Sequence, residues 1–213
     1  TLAAENTTSG DISLDNVLST GLTIGLVNGL DGVNNDNSTN AGVVAISNVG
    51  GITVDRNVTG DGAVTLSAID TATVSNENIT INSPRTVKSN LGGVTINAGD
   101  NVTIPSGASV RAGAITASAT TNITINVDVA DADPATGSVV TIGGTLIVGN
   151  VNSPSNNKTT ITGGVDNDVF ALLPQTATPI NVDGGAPVAP AGDTLTLDLT
   201  GLAAPTLQLG NGL

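Results

Sequence analysis

The residues best suited to chemistry are aspartates set among glycines near the end of the chain. Gly163-Gly-Val-Asp-Asn-Asp-Val-Phe-Ala171 places Asp166 and Asp168 behind a glycine pair, and a broken second copy runs through Asp183-Gly-Gly-Ala186 and Gly192-Asp-Thr-Leu195. Glycines permit tight turns, and carboxylates with backbone carbonyls are the ligands that a hard cation such as calcium takes. Asp166, Asp168, Asp183 and Asp193 are therefore the candidate calcium ligands. The competing reading is a solvated turn, because Asp tolerates turn geometry. Asp128, Asp131 and Asp133 form a second acidic group that could bind the same ion or be an exposed loop. No cofactor is required by anything else in the chain.

The missing residue types exclude much other chemistry. His, Cys, Met, Trp and Tyr are absent and Phe170 is the single aromatic residue. That removes Ser-His-Asp and Cys-His triads, ordinary zinc sites, haem and iron–sulfur ligation, and disulfides. The 213 residues carry 18 acids against 5 bases, a net charge of −13, so neither nucleic acid nor an anionic lipid surface is an expected partner. Glu5 and Glu77 are the only glutamates, and no carboxylate pair stands in an acid–base context. A calcium-assisted lyase using Arg56, Arg85, Lys88 or Arg111 as base is the one enzymatic reading, and a non-enzymatic chain is preferred to it. No apolar run is long enough to span a bilayer, and without an initiator Met the expectation is a processed product or an excised segment.

A third pattern is Asn-Val/Ile-Thr, at Asn57–Thr59, Asn78–Thr80, Asn101–Thr103 and Asn122–Thr124. It could be a ladder of side-chain amides bonding from coil to coil, a flat hydroxyl array for ice or polysaccharide, or a set of glycosylation acceptors. Seven Asn-x-Ser/Thr triplets occur, but about five would arise by chance in so Ser/Thr-rich a chain, which weakens the glycan reading. Ice binding would want paired threonine columns, and one Thr per strand recurs. The amide ladder is preferred.

These residues need a frame to position them, and the sequence supplies strands. Gly51-Ile-Thr-Val-Asp55, Ala63-Val-Thr-Leu-Ser67, Asn78-Ile-Thr-Ile-Asn82, Gly93-Val-Thr-Ile-Asn97, Asn122-Ile-Thr-Ile-Asn126 and Thr194-Leu-Thr-Leu-Asp198 all alternate apolar with polar. The Asn triplets begin 21, 23 and 21 residues apart (57, 78, 101, 122), the length of one solenoid coil with two or three short strands. The expected fold is all-β, a right-handed parallel β-solenoid of about 22 residues per coil, with aliphatic columns inside a tube too narrow for rings. Ile79 and Ile81 should stack on Val102 and Ile104, and these on Ile123 and Ile125. A β-sandwich is the rival, since Asp31-Gly32 and Asp61-Gly62 could make hairpin turns. Residues 1–149 read as coils with excursions at 31–40 and 128–137, and 150–213 as a divergent end section of the same stack.

Leu91-Gly-Gly-Val-Thr-Ile-Asn-Ala-Gly-Asp-Asn-Val-Thr-Ile104 resembles the β-solenoid repeats of filamentous-haemagglutinin-like adhesins and other giant bacterial surface exoproteins. Thr162 to Phe170, Ile180 to Gly185 and Gly192 to Asp198 look like a closing segment of such proteins, with a degenerate haemolysin-type calcium repeat. The resemblance implies secretion, an extracellular or cell-surface location, and a role in adhesion or envelope structure. The family's N-terminal secretion domain is not visible. Expected partners are further copies of the chain, neighbouring surface-protein segments, or cell-surface glycans. Three roles follow: a rigid stalk or adhesin segment, a self-assembling filament or sheath subunit, and calcium-dependent glycan binding or cleavage.

Overall fold

The chain folds as a parallel β-solenoid. The structure, a computed structural model, describes residues 1–213 except 18, 37–41, 73–75, 114–120, 131, 133–135, 150–156, 176–177, 187–191 and 203–213. Its strands are numbered in chain order. Face one stacks β1 (Ala4–Glu5), β6 (Val33–Asn35), β9 (Val58–Gly60), β12 (Thr86–Ser89), β15 (Ser109–Ala112) and β18 (Thr145–Val148). Face two stacks β2 (Ile12–Asn16), β7 (Val44–Asn48), β10 (Val64–Ala68), β13 (Val94–Ala98), β16 (Asn122–Asn126), β19 (Lys158–Thr162) and β21 (Ile180–Asp183). Face three stacks β3 (Leu22–Ile24), β8 (Ile52–Val54), β11 (Ile79–Ile81), β14 (Val102–Ile104), β17 (Val139–Ile142), β20 (Val169–Leu172) and β22 (Thr194–Leu197). Every pairing within the three faces is parallel, which excludes the sandwich.

The alternation read from the sequence becomes an inside and an outside. On face two Val44, Val64, Val94 and Ile123 form one buried column, and Ile46, Leu66, Ile96, Ile125 and Ile161 the next. Face three adds Ile52, Ile79, Val102, Val140 and Phe170, and face one Val33, Val58, Val87, Val110 and Leu146. Parallel strands in register place each side chain over its equivalent, so one coil closes the core of the next. Each fully buried aliphatic side chain contributes about 1.5–3 kcal/mol relative to exposure. The lone ring is not excluded from the tube: Phe170 is 1% exposed, stacked between Val140 and Leu195.

Four expectations need correction. The coil is not uniformly 22 residues: successive register partners lie from 20 apart (Val44 to Val64) to 38 apart (Val102 to Val140), because the corners vary in length far more than the strands. The four Asn triplets do not make one column. Asn57 precedes β9 on face one, Asn78 and Asn101 precede β11 and β14 on face three, and Asn122 opens β16 on face two. Ile79 does stack on Val102, but the next rung is Val140, and Ile123 pairs with Val94. Nor is 31–40 wholly an excursion, since Val33–Asn35 is the face-one strand β6 and residues 37–40 lie outside the described part. The true departure from the coil is an antiparallel hairpin, β4 (Leu26–Val27) with β5 (Leu30–Asp31). Asn28 and Gly29 turn it with φ of 49° and 87°, the left-handed pair that an Asn-Gly hairpin turn requires. In the other excursion, 128–137, residues 131 and 133–135 are likewise undescribed. After residue 157 strands β19 to β22 continue the same sheets.

Candidate functional site

Four acidic residues and a serine form a column where the chain turns into face three. Glu77, Asp100, Ser138, Asp168 and Asp193 each stand two residues before the first inward residue of a face-three strand (Ile79, Val102, Val140, Phe170 and Leu195). Each aspartate of this column grips the rung below. Glu77 N donates to Asp100 Oδ2 (2.8 Å), Ser138 N to Asp168 Oδ1 (2.7 Å) and Asp168 N to Asp193 Oδ1 (2.9 Å). A corner leaves backbone N–H groups outside the sheet ladder, and a carboxylate is a strong acceptor for them. Asp168 also accepts Gly164 N at 2.8 Å and is 1% exposed. Burial pushes its carboxyl above the ordinary value of 3.8, and repulsion from Asp193 and Asp166 adds to this, while the bonds from Ser138 and Gly164 oppose it.

The glycine pairs are explained by the same carboxylates. A side chain on Gly163 would collide with Asp168 Oδ2, one on Gly164 with Asp128 Oδ2, and one on Gly184 with Asp193 Oδ2. The Gly-Gly-x-Asp-x-Asp phrasing thus describes a corner in which a carboxylate lies against bare backbone. Of the four candidate calcium ligands, Asp168 and Asp193 occupy successive rungs and Asp166 is close enough to act on Asp168 electrostatically. Asp183 ends β21 on face two and is exposed, its Oδ1 accepting Gly185 N in a local turn (3.2 Å). Among the described residues no group of three or more acidic side chains is arranged to hold a metal ion. Asp128 is buried with Oδ2 accepting Val165 N (3.0 Å), whereas Asp131 and Asp133 lie outside the described residues.

Sequence reasoning missed one acidic corner. Glu77 is fully buried, with Thr71 Oγ1 donating to Oε1 (3.0 Å) and Asn76 N to Oε2 (2.9 Å). Asp70 lies beside it, close enough that a Cβ on Gly99 would meet both Asp70 and Glu77. The legible signal was the acid two places ahead of Ile79, repeated ahead of Val102, Phe170 and Leu195.

The asparagines share one local job on three different faces. Asn57 Oδ1 accepts Thr86 N (2.9 Å), Asn78 Oδ1 accepts Asn101 N (3.0 Å), Asn101 Oδ1 accepts Val139 N (2.7 Å) and Asn122 Oδ1 accepts Lys158 N (3.2 Å). All four bonds run to the next coil. Amide-to-amide stacking occurs at Asn101 Nδ2 to Asn78 Oδ1 (2.7 Å), and also at Asn16 with Asn48 and Asn126 with Asn97, which the triplets did not indicate. Outward threonines do align: Thr23, Thr53, Thr80, Thr103 and Thr141 make one file along face three.

On face one the basic residues divide. Arg56 Nε meets Asp31 Oδ1 at 2.9 Å and Nη1 lies 3.8 Å from Asp55 Oδ2. Lys88 and Arg111 are register partners on β12 and β15. The β4–β5 hairpin overhangs the other end of this face, leaving an open groove of about 390 Å³ lined by Glu5, Leu30, Asp31, Asn34, Asn57 and Thr59 among others. No known protein family, curated protein or solved structure matches the chain.

Proposed function

We propose that the chain is a non-enzymatic structural segment of a secreted or cell-surface bacterial protein, a rigid β-solenoid element of the stalk or adhesin type. The supporting observation is the density of coil-to-coil bonding. Buried aliphatic columns run through three sheets, and at the corners Asn57, Asn78, Asn101, Asn122, Asp168 and Asp193 tie backbone to backbone between rungs. Such a stack transmits position from one end to the other without a hinge, which is what a spacer must do.

Rigidity is measurable. Ser13 and Thr160 lie in one outward file of face two, through Ala45, Thr65, Thr95 and Thr124. Spin labels on Ser13→Cys and Thr160→Cys should give one narrow distance distribution near 24 Å, five strand spacings of about 4.8 Å. A broad or multiple distribution would overturn the spacer reading. Surface location has its own test: protease shaving of intact source cells should remove the chain, and full protection would place it elsewhere.

A second reading, the subunit of an extracellular filament or sheath, draws on the end rungs. Leu2, Ile12, Leu14 and Leu22 at one end, and Ile180, Val182 and Leu197 at the other, are only partly covered. A further segment or a second copy stacking there would complete both the core and the strand edges. Particles lengthening with concentration in negative-stain images favour this reading, and uniform short particles oppose it.

A further inference from the structure

The chain carries 18 acidic residues, yet four of its five basic residues, Arg56, Arg85, Lys88 and Arg111, lie on strands of face one or within two residues before them. Arg56 is neutralised by Asp31 and Asp55. Among the described residues, no carboxylate lies within ion-pairing distance of Arg85, Lys88 or Arg111. Lys88 and Arg111 are stacked directly on adjacent rungs. Strands sit about 4.8 Å apart, and like charges placed opposite each other destabilise a sheet. A fold with so many aspartates to hand gains nothing from that repulsion.

The surroundings indicate what would satisfy these cations. Thr59 is the rung next to Lys88, and Asn34 the rung next to Thr59, so the file runs from the cations into the hairpin groove. Thr86 and Ser109, whose hydroxyls bond each other at 2.8 Å, flank the pair on the same two strands. Hydroxyls and amides are the donors and acceptors that sugar hydroxyls need, and Arg binds carboxylates through a planar fork. At the far end the groove offers Glu5, and an Asp31 already held by Arg56, but among the described residues no free cation, which fixes where a ligand's negative charge can lie.

We infer that face one binds a carboxylated polysaccharide, a uronate chain, with a carboxylate over Lys88 and Arg111 and neighbouring sugar hydroxyls along Thr59 and the groove. This binding needs no calcium, and it stands apart from the spacer reading, since a spacer needs no cationic stack. The test is isothermal calorimetry of the whole chain with an oligogalacturonate, set against a neutral galactose oligomer of equal length. Only the uronate should bind, its affinity should fall as salt rises, and EDTA should leave it unchanged. Lys88→Thr with Arg111→Thr should weaken binding about tenfold or more. Lys88→Glu, which gives Arg111 an ion-pair partner and so cannot be dismissed as unfolding, should do the same while raising the melting temperature. Absence of uronate binding, equal binding of the neutral oligomer, undiminished binding by either variant, or loss on adding EDTA would each overturn the assignment.

Discussion

Asp168 shows how a single side chain is tuned by its place in the stack. Its folded-state carboxyl titrates above the ordinary 3.8, chiefly because burial disfavours the anion. A raised carboxyl binds its proton more tightly in the folded chain. Its contribution to stability is therefore full below the unfolded value and is lost as pH rises through the folded one. Carbon-detected NMR titration should place the Asp168 midpoint above 3.8, and Asp166→Asn should lower it by removing a repulsive neighbour. A midpoint at or below the ordinary value would show that the two amide bonds outweigh burial. Gly164→Ala tests the same corner sterically, since the new methyl would fall on the Asp128 carboxylate. A loss of about 2 kcal/mol or more is expected in chemical denaturation.

At the scale of the element, strand identity and side-chain direction were plain from period-two alternation, because a parallel solenoid buries one side of every strand. Which strand lies on which was not. The Asn triplets recur at near-equal intervals in the sequence, but coils of 20 to 38 residues distribute them over three faces. A corner loop can lengthen without altering the rungs, so chain distance loses its meaning as register. The calcium-like phrase was legible as a turn and not as a set of amide acceptors, since its bonds join residues 25 and 30 positions apart. The missed hairpin had a local signal in Asn28-Gly29 that the solenoid pattern overshadowed. Asn101 offers a test of the rung-to-rung bonds. Asn101→Ala removes the acceptor for Val139 N and the amide stack on Asn78, and should cost about 1–3 kcal/mol. Ile79→Ala, in the fully buried column beneath, should cost about 2–5 kcal/mol by leaving a cavity.

For the whole molecule, proportions matter. Seven rungs at about 4.8 Å make a prism roughly 30 Å long, while a five-residue strand such as Val64–Ala68 spans about 17 Å of a face. By itself this is a block, and a stalk of any reach requires further coils or copies stacked on it. Energies in such an array are sums of rung and neighbour terms. Deleting residues 64–93 removes one strand from each face and joins Ala63 to Val94, the register partner of Val64. The shortened chain should keep its β-type circular dichroism and melt at a lower temperature. Collapse to a disordered chain would show that stability is not shared rung by rung.

The unequal corners have a practical corollary. Because a coil of 38 residues from Val102 to Val140, with β15 and β16 within it, leaves both residues buried and in register, foreign peptides grafted at coil corners ought to be tolerated by the scaffold. Several bends along one edge could then carry different epitopes at fixed intervals, making the protein a ruler on which recognition sequences are hung.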